Sequence, residues 1–262
     1  MSTPLIKVEE RGAWALVTFD RADKRNAMNR QARGELLAAF ERLRDGPRAI
    51  VLTGSGPAFC AGMDLKEVAA DRERGVETAN DEWRDVNVAM RQHPAVFIAA
   101  VNGFALGGGT TLINVCDLAI AAESAELGMP EIGFATYPGL AGPATQLSLS
   151  RKRAAWMVLT GKRVDARTAE AWGLVNRCVS DERLLEEAEA LALHVAGFDA
   201  VALAAAKQAL DTVPAIITDW RRAFDFGELT NAQIRGRTDA QRGGLARFSA
   251  GEKNPGQGRI ER

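Results

Sequence analysis

Up to about residue 140 strand-like runs alternate with helices; beyond it only helices can be read. Residues 13–19 form an apolar, β-branched run, and 20–29 a polar turn. In 30–44 Leu36, Phe40 and Leu43 recur at helical spacing, the mark of an amphipathic helix. A short buried strand at 48–53 stops at Gly54-Ser55-Gly56-Pro57, a strong breaker. A charged helix over 78–91 is halted by Pro94, and strands follow at 95–101 and 117–122. Later, 151–159, 166–172, 181–196, 200–210, 219–235 and 238–249 read as helices, and the tail 251–262 as irregular. No Pro/Ser-rich linker separates the two patterns. The expectation is one continuous layered α/β unit with a helical C-terminal appendage.

The 262 residues can bury a sizeable core. With Lys+Arg 33 and Asp+Glu 34, nothing favours a nucleic-acid partner, which needs a basic surface. No apolar run approaches the roughly 20 residues of a membrane helix, and the first residues hold no apolar signal core. Three scattered cysteines, Cys60, Cys116 and Cys178, suit neither a disulfide framework nor a zinc cluster. No metal site and a cytoplasmic setting are expected. Cys60 and Cys116 read as small buried hydrophobes. Only two histidines occur, and His93, directly before Pro94, reads as a helix-end residue.

Two glycine-bearing turns are candidates for chemistry: 58–67 (AFCAGMDLKE) and 101–109 (VNGFALGGG). Three consecutive glycines after a strand let backbone approach a ligand closely and permit positive φ. A helix starting there would aim free N–H groups at an anion. A close helix–strand contact would also require glycine, and composition does not choose between the two. Neither a phosphate-binding Gly-Lys-Ser/Thr nor a GxGxxG spacing is present.

With 21–28 (RADKRNAM), 127–132 (LGMPEI), 137–139 (YPG), 159–162 (LTGK) and 171–176 (AWGLVN), these turns occur in a recognisable order. Together they resemble the crotonase, or enoyl-CoA hydratase/isomerase, superfamily over most of the chain. The resemblance implies an α/β fold: a crotonase-like spiral of ββα units over 1–195, with a C-terminal helical trimerisation region over 196–262. It implies an acyl-CoA substrate, with coenzyme A as part of the thioester and no separate cofactor. It also implies a homotrimer or dimer of trimers, with no nucleic-acid or membrane partner.

By motif position, the thioester oxygen would meet the backbone N–H groups of Met63 and Gly108. Preorganised donors of this kind are each worth about 3 kcal/mol where charge develops. Ala27 and Ala61 match positions near the CoA adenine. Arg25 is placed to meet the cofactor's polar end, though it also reads as an exposed turn charge. Leu65 and Gly139 fall in the same matched stretches as substrate-binding positions. Asp64 is expected to cap or orient the first turn. Tyr137 reads either as lining the acyl pocket and donating to a phenolic substrate, or as packing.

The acid/base positions depart from the usual hydratase pattern of two glutamates. Thr111 stands at the first and Glu131 at the second. Threonine is no useful base near neutral pH, so Glu131 is expected to move the proton alone. Its apolar neighbours Leu127, Met129, Ile132 and Phe134 are expected to raise its pKa. The resemblance thus implies an enoyl-CoA hydratase-type lyase, with isomerase and hydroxycinnamoyl-CoA hydratase-lyase as alternatives. An inactive CoA- or RNA-binding scaffold is the non-enzyme alternative.

Overall fold

The computed structural model describes residues 3–76 and 79–252. Two sheets carry the first two thirds. The larger contains β1 (Ile6–Arg11), β2 (Trp14–Phe19), β3 (Ala49–Gly54), β5 (Val96–Val101), β7 (Leu118–Ala122) and β10 (Arg177–Val179), in the order β1-β2-β3-β5-β7-β10. Only the β1–β2 pair is antiparallel. The smaller has the order β4-β6-β8-β9, from β4 (Ala58–Cys60), β6 (Phe104–Leu106), β8 (Glu126–Gly128) and β9 (Val164–Asp165). Successive strands alternate between sheets, β3 then β4, β5 then β6, β7 then β8. Helices follow each pair, giving the ββα spiral.

The central strands are buried on both faces, as a covered parallel sheet demands. Period-two alternation splits them between two cores. Ile50, Leu52, Phe97, Ala99 and Val101 face the layer between the sheets. Ala49, Val51, Val96, Ile98 and Ala100 face the other side, where α8 (Leu184–Ala196) lays down Leu184, Ala188, Ala192 and Val195.

The sequence-derived elements appear within one to three residues of their expected places: α1 (Arg30–Arg42), α3 (Ala79–Gln92), α6 (Arg151–Thr160), α7 (Ala166–Trp172), α10 (Trp220–Arg235) and α11 (Ala240–Ser249). One boundary needs correction. α9 (Ala200–Ile216) runs six residues past the expected Leu210, with Pro214 inside its last turn. The helices α2 (Leu65–Glu73), α4 (Gly108–Val115) and α5 (Ala141–Ser148) complete the chain order. Among the described residues no strand follows β10, and α10 and α11 bury no residue in the protomer. The expected irregular tail beyond residue 252 lies outside the described residues.

Candidate active site

The first glycine-bearing turn is fixed by an unusual loop before α1. Arg25 and Asn26 both take the left-handed conformation, φ 51° and 57°. Asn26 is fully buried; its Oδ1 accepts from Arg21 N, and its Nδ2 donates to Ser55 O and Ala58 O. Arg25 O accepts from Ala61 N. Met28 then makes a parallel bridge with Met63: Met28 N donates to Gly62 O, and Asp64 N donates to Met28 O. That bridge uses the amides on either side of Met63 and leaves Met63 N–H directed elsewhere. Arg33, itself buried, locks the bridge in place. It donates to Met28 O and pairs with Glu67 on α2 (3.2 Å) and Glu82 on α3 (2.7 Å).

The second turn begins α4. Gly107 has φ 52°, and a Cβ on it would lie 2.6 Å from Glu131 Oε1. A Cβ on Gly109 would lie 2.0 Å from Cys60 O. Both readings of the triple glycine therefore hold: Gly109 permits close packing, while Gly107 and Gly108 shape a cavity. Gly108 opens the helix, so its N–H has no acceptor within the helix. A Cβ on Gly62 would come within 2.9 Å of Gly108 N, so the two turns touch.

Between them lies a cavity of about 700 Å³, within the range of ligand sites. Ala61, Met63, Leu65, Gly108, Thr111, Glu131, Tyr137 and Gly139 line it. Arg25, Ala27 and Asp64 are not in its lining. Asp64 instead caps α2 through Lys66 N and Glu67 N and pairs with Arg21 at 2.6 Å. The Arg25 guanidinium stands over the Phe104 ring (5.8 Å), as does that of Arg163 (5.1 Å).

Glu131 sits in a short 3₁₀ turn, Pro130–Phe134, after β8. Its Oε2 is buried without a partner, and burial pushes its pKa above the usual carboxylate value. Ile132 and Phe134 are exposed, so only Leu127 and Met129 of the four expected neighbours are buried. Thr111 is buried, and its hydroxyl is 3.4 Å from Gly107 O. Tyr137 Oη accepts from Gln146 Nε2 at 2.7 Å. Asp81 is the other carboxylate in the lining; it is 63% exposed and paired with Arg84 at 3.0 Å. Glu123 and Glu126 pair with Arg167 and Arg163 at the surface, as their positions imply.

The enoyl-CoA hydratase/isomerase family model matches residues 9–248. The chain belongs to this family of enzymes. It is 39% identical to a probable enoyl-CoA hydratase of Rhizobium meliloti, over 80% of this chain and 82% of the relative. It is 30% identical to the hydroxycinnamoyl-CoA hydratase-lyase of Pseudomonas fluorescens, over 93% and 91%. A crystal structure of enoyl-CoA hydratase from Bacillus anthracis superposes with a TM-score of 0.88 at 32% identity, covering 95% of this chain and 97% of that one. The crotonase fold expected from the motifs is therefore the observed one. One residue that sequence reasoning missed is Trp83, a buried wall of the cavity whose helix-face position reads simply as core.

Proposed function

We propose that this enzyme adds water across the double bond of an enoyl-CoA thioester, with Glu131 as the single acid/base. The carrying observation is the buried, unpartnered Glu131 carboxylate oxygen beside the two touching turns. The thioester oxygen is held by Met63 N–H and Gly108 N–H. Glu131 takes a proton from water as the hydroxyl bonds to the β carbon. The double-bond electrons move onto the thioester oxygen as an enolate. Glu131 then returns the proton to the α carbon, and the thioester carbonyl re-forms. No step requires a metal or a redox cofactor; coenzyme A is part of the substrate. Arg25, Ala27 and Ala61 serve the CoA portion, and Leu65, Thr111, Tyr137 and Gly139 shape the acyl end. Asp64 acts by capping the turn.

A second reading, hydration followed by retro-aldol cleavage of a hydroxycinnamoyl thioester, is favoured by Tyr137 in the lining and by the Pseudomonas fluorescens relative. Three free thiols suit a reducing compartment such as the cytoplasm. No single helix among the described residues is long and apolar enough to cross a membrane.

The test is loss of enoyl absorbance with crotonyl-CoA and with 4-hydroxycinnamoyl-CoA. Loss with crotonyl-CoA supports hydration. Loss confined to the aromatic thioester, with release of an aldehyde, supports the lyase. CoA binding without turnover of either would mark an inactive scaffold and overturn the proposal.

A further inference from the structure

We infer that the Trp83 indole N–H is a third hydrogen-bond donor to the thioester oxygen, weakly engaged in the bound thioester and strengthened as that oxygen becomes an enolate. This rests on the acyl-CoA reading above. Trp83 belongs to the first turns of α3, is 1% exposed and lines the cavity. Its Nε1 is buried and has no hydrogen-bond partner. Buried polar groups are paired as a rule, so an orphaned donor in a cavity wall calls for a ligand acceptor. If the ring served packing alone, phenylalanine would fill the place without leaving an N–H unpaired.

The position identifies the acceptor. A Cβ built on Gly108 would lie 3.0 Å from Trp83 Nε1, 3.3 Å from its Cε2 and 3.2 Å from Gly62 Cα. The indole nitrogen therefore lies against Gly108 beside the Gly62 backbone, where the acyl-CoA reading puts the Met63 and Gly108 donors. A carbonyl oxygen has two lone pairs, which Met63 N–H and Gly108 N–H engage most directly, so the Trp83 N–H makes only a weak, shared hydrogen bond to it in the ground state. An enolate oxygen has three. A third donor thus binds the transition state better than the ground state, the condition for raising turnover rather than affinity.

The decisive experiment uses the full-length protein with ¹⁵N-labelled tryptophan, Trp83→Phe assigning the indole signal. Butyryl-CoA carries no acyl oxygen other than the thioester's; 3-hydroxybutyryl-CoA adds one at the β carbon. The inference expects the Trp83 indole proton to move downfield with both thioesters and to stay in place with CoA alone. It also expects Trp83→Phe to lower kcat by about 10–100-fold with KM changed less than about threefold. A shift with 3-hydroxybutyryl-CoA only would assign the donor to the β oxygen and overturn the inference. Other signals moving while the indole stays would overturn it and leave the acyl-CoA reading intact. No response anywhere to either thioester would overturn both. An unchanged kcat in Trp83→Phe would contradict it independently of the spectra.

Discussion

Two titrating residues illustrate how burial sets chemistry one side chain at a time. Glu131 has one oxygen shut away from water without a donor, so its charged form is disfavoured and its pKa is raised. A base must be ionised to accept water's proton. The rate should therefore fall as pH drops through a value above the ordinary 4.5 of a glutamate. A kcat/KM profile flat down to pH 4 would contradict this. His93 works in the opposite direction. Ala95 N donates to its Nδ1, and its Nε2 lies 3.0 Å from Phe40 O, so the neutral Nε2–H tautomer satisfies both bonds. Burial, foremost, lowers its pKa from 6.5 to about 4. The unfolded chain then binds the proton more readily between those values. The stabilisation is complete above pH 6.5 and is lost as pH falls toward 4, by about 3 kcal/mol. An NMR titration of the His93 ring should show a midpoint near 4; a midpoint near 6.5 would refute the account. At this scale Thr111 was legible from its offset of three residues from the middle glycine, Gly108, and Glu131 from the Pro130-Glu131 element. Trp83 was not, because its orphaned N–H faces Gly108, 25 residues further along the chain.

The helices depend on polar anchors that local patterns do not reveal. Lys207 on α9 is 5% exposed; its Nζ donates to Met90 O and Ala95 O and pairs with Asp117, each at 2.9 Å. One ammonium group thereby ties α9 to the end of α3 and the start of β5. In sequence it reads as a surface lysine on an amphipathic helix. Lys207→Met should cost about 2–4 kcal/mol, because it strips the buried Met90 and Ala95 carbonyls of their donor, while Asp117 keeps Arg91 at 3.1 Å. Chemical denaturation measures this, and a change under about 1 kcal/mol would show that the anchor is dispensable. The long strands β2, β3, β5 and β7 could be read from unbroken apolar runs. β4, β6, β8 and β9 could not, since two or three residues carry no periodicity. β1, as IKVEER, reads as polar; it is an antiparallel edge strand with its outer face in water. These short or polar strands nevertheless set the two turns against each other.

As a whole, the chain leaves apolar side chains bare at its C-terminal end. Trp220 is 79% exposed, and Phe224, Leu229, Leu245 and Phe248 are also bare. A stripe of this kind is normally core, so the expected trimer or dimer of trimers would supply the missing cover. Light scattering should give three or six times the 28.1 kDa chain mass at micromolar concentration; a 28.1 kDa species would contradict the assembly. Alternation followed mostly by helices made the architecture legible, although β9 and β10 in that later part were not legible. The stripe Trp220, Phe224 and Leu229 is also readable in the sequence, but such a stripe is usually core, and only α10 and α11 burying nothing shows it exposed. The central claim is that one glutamate both takes and returns the proton. Its most direct test is turnover by Glu131→Gln of whichever enoyl-CoA the wild type consumes, with CoA-thioester binding measured alongside. The account predicts kcat lowered about 10²–10⁴-fold with binding retained; turnover near the wild-type rate would contradict it.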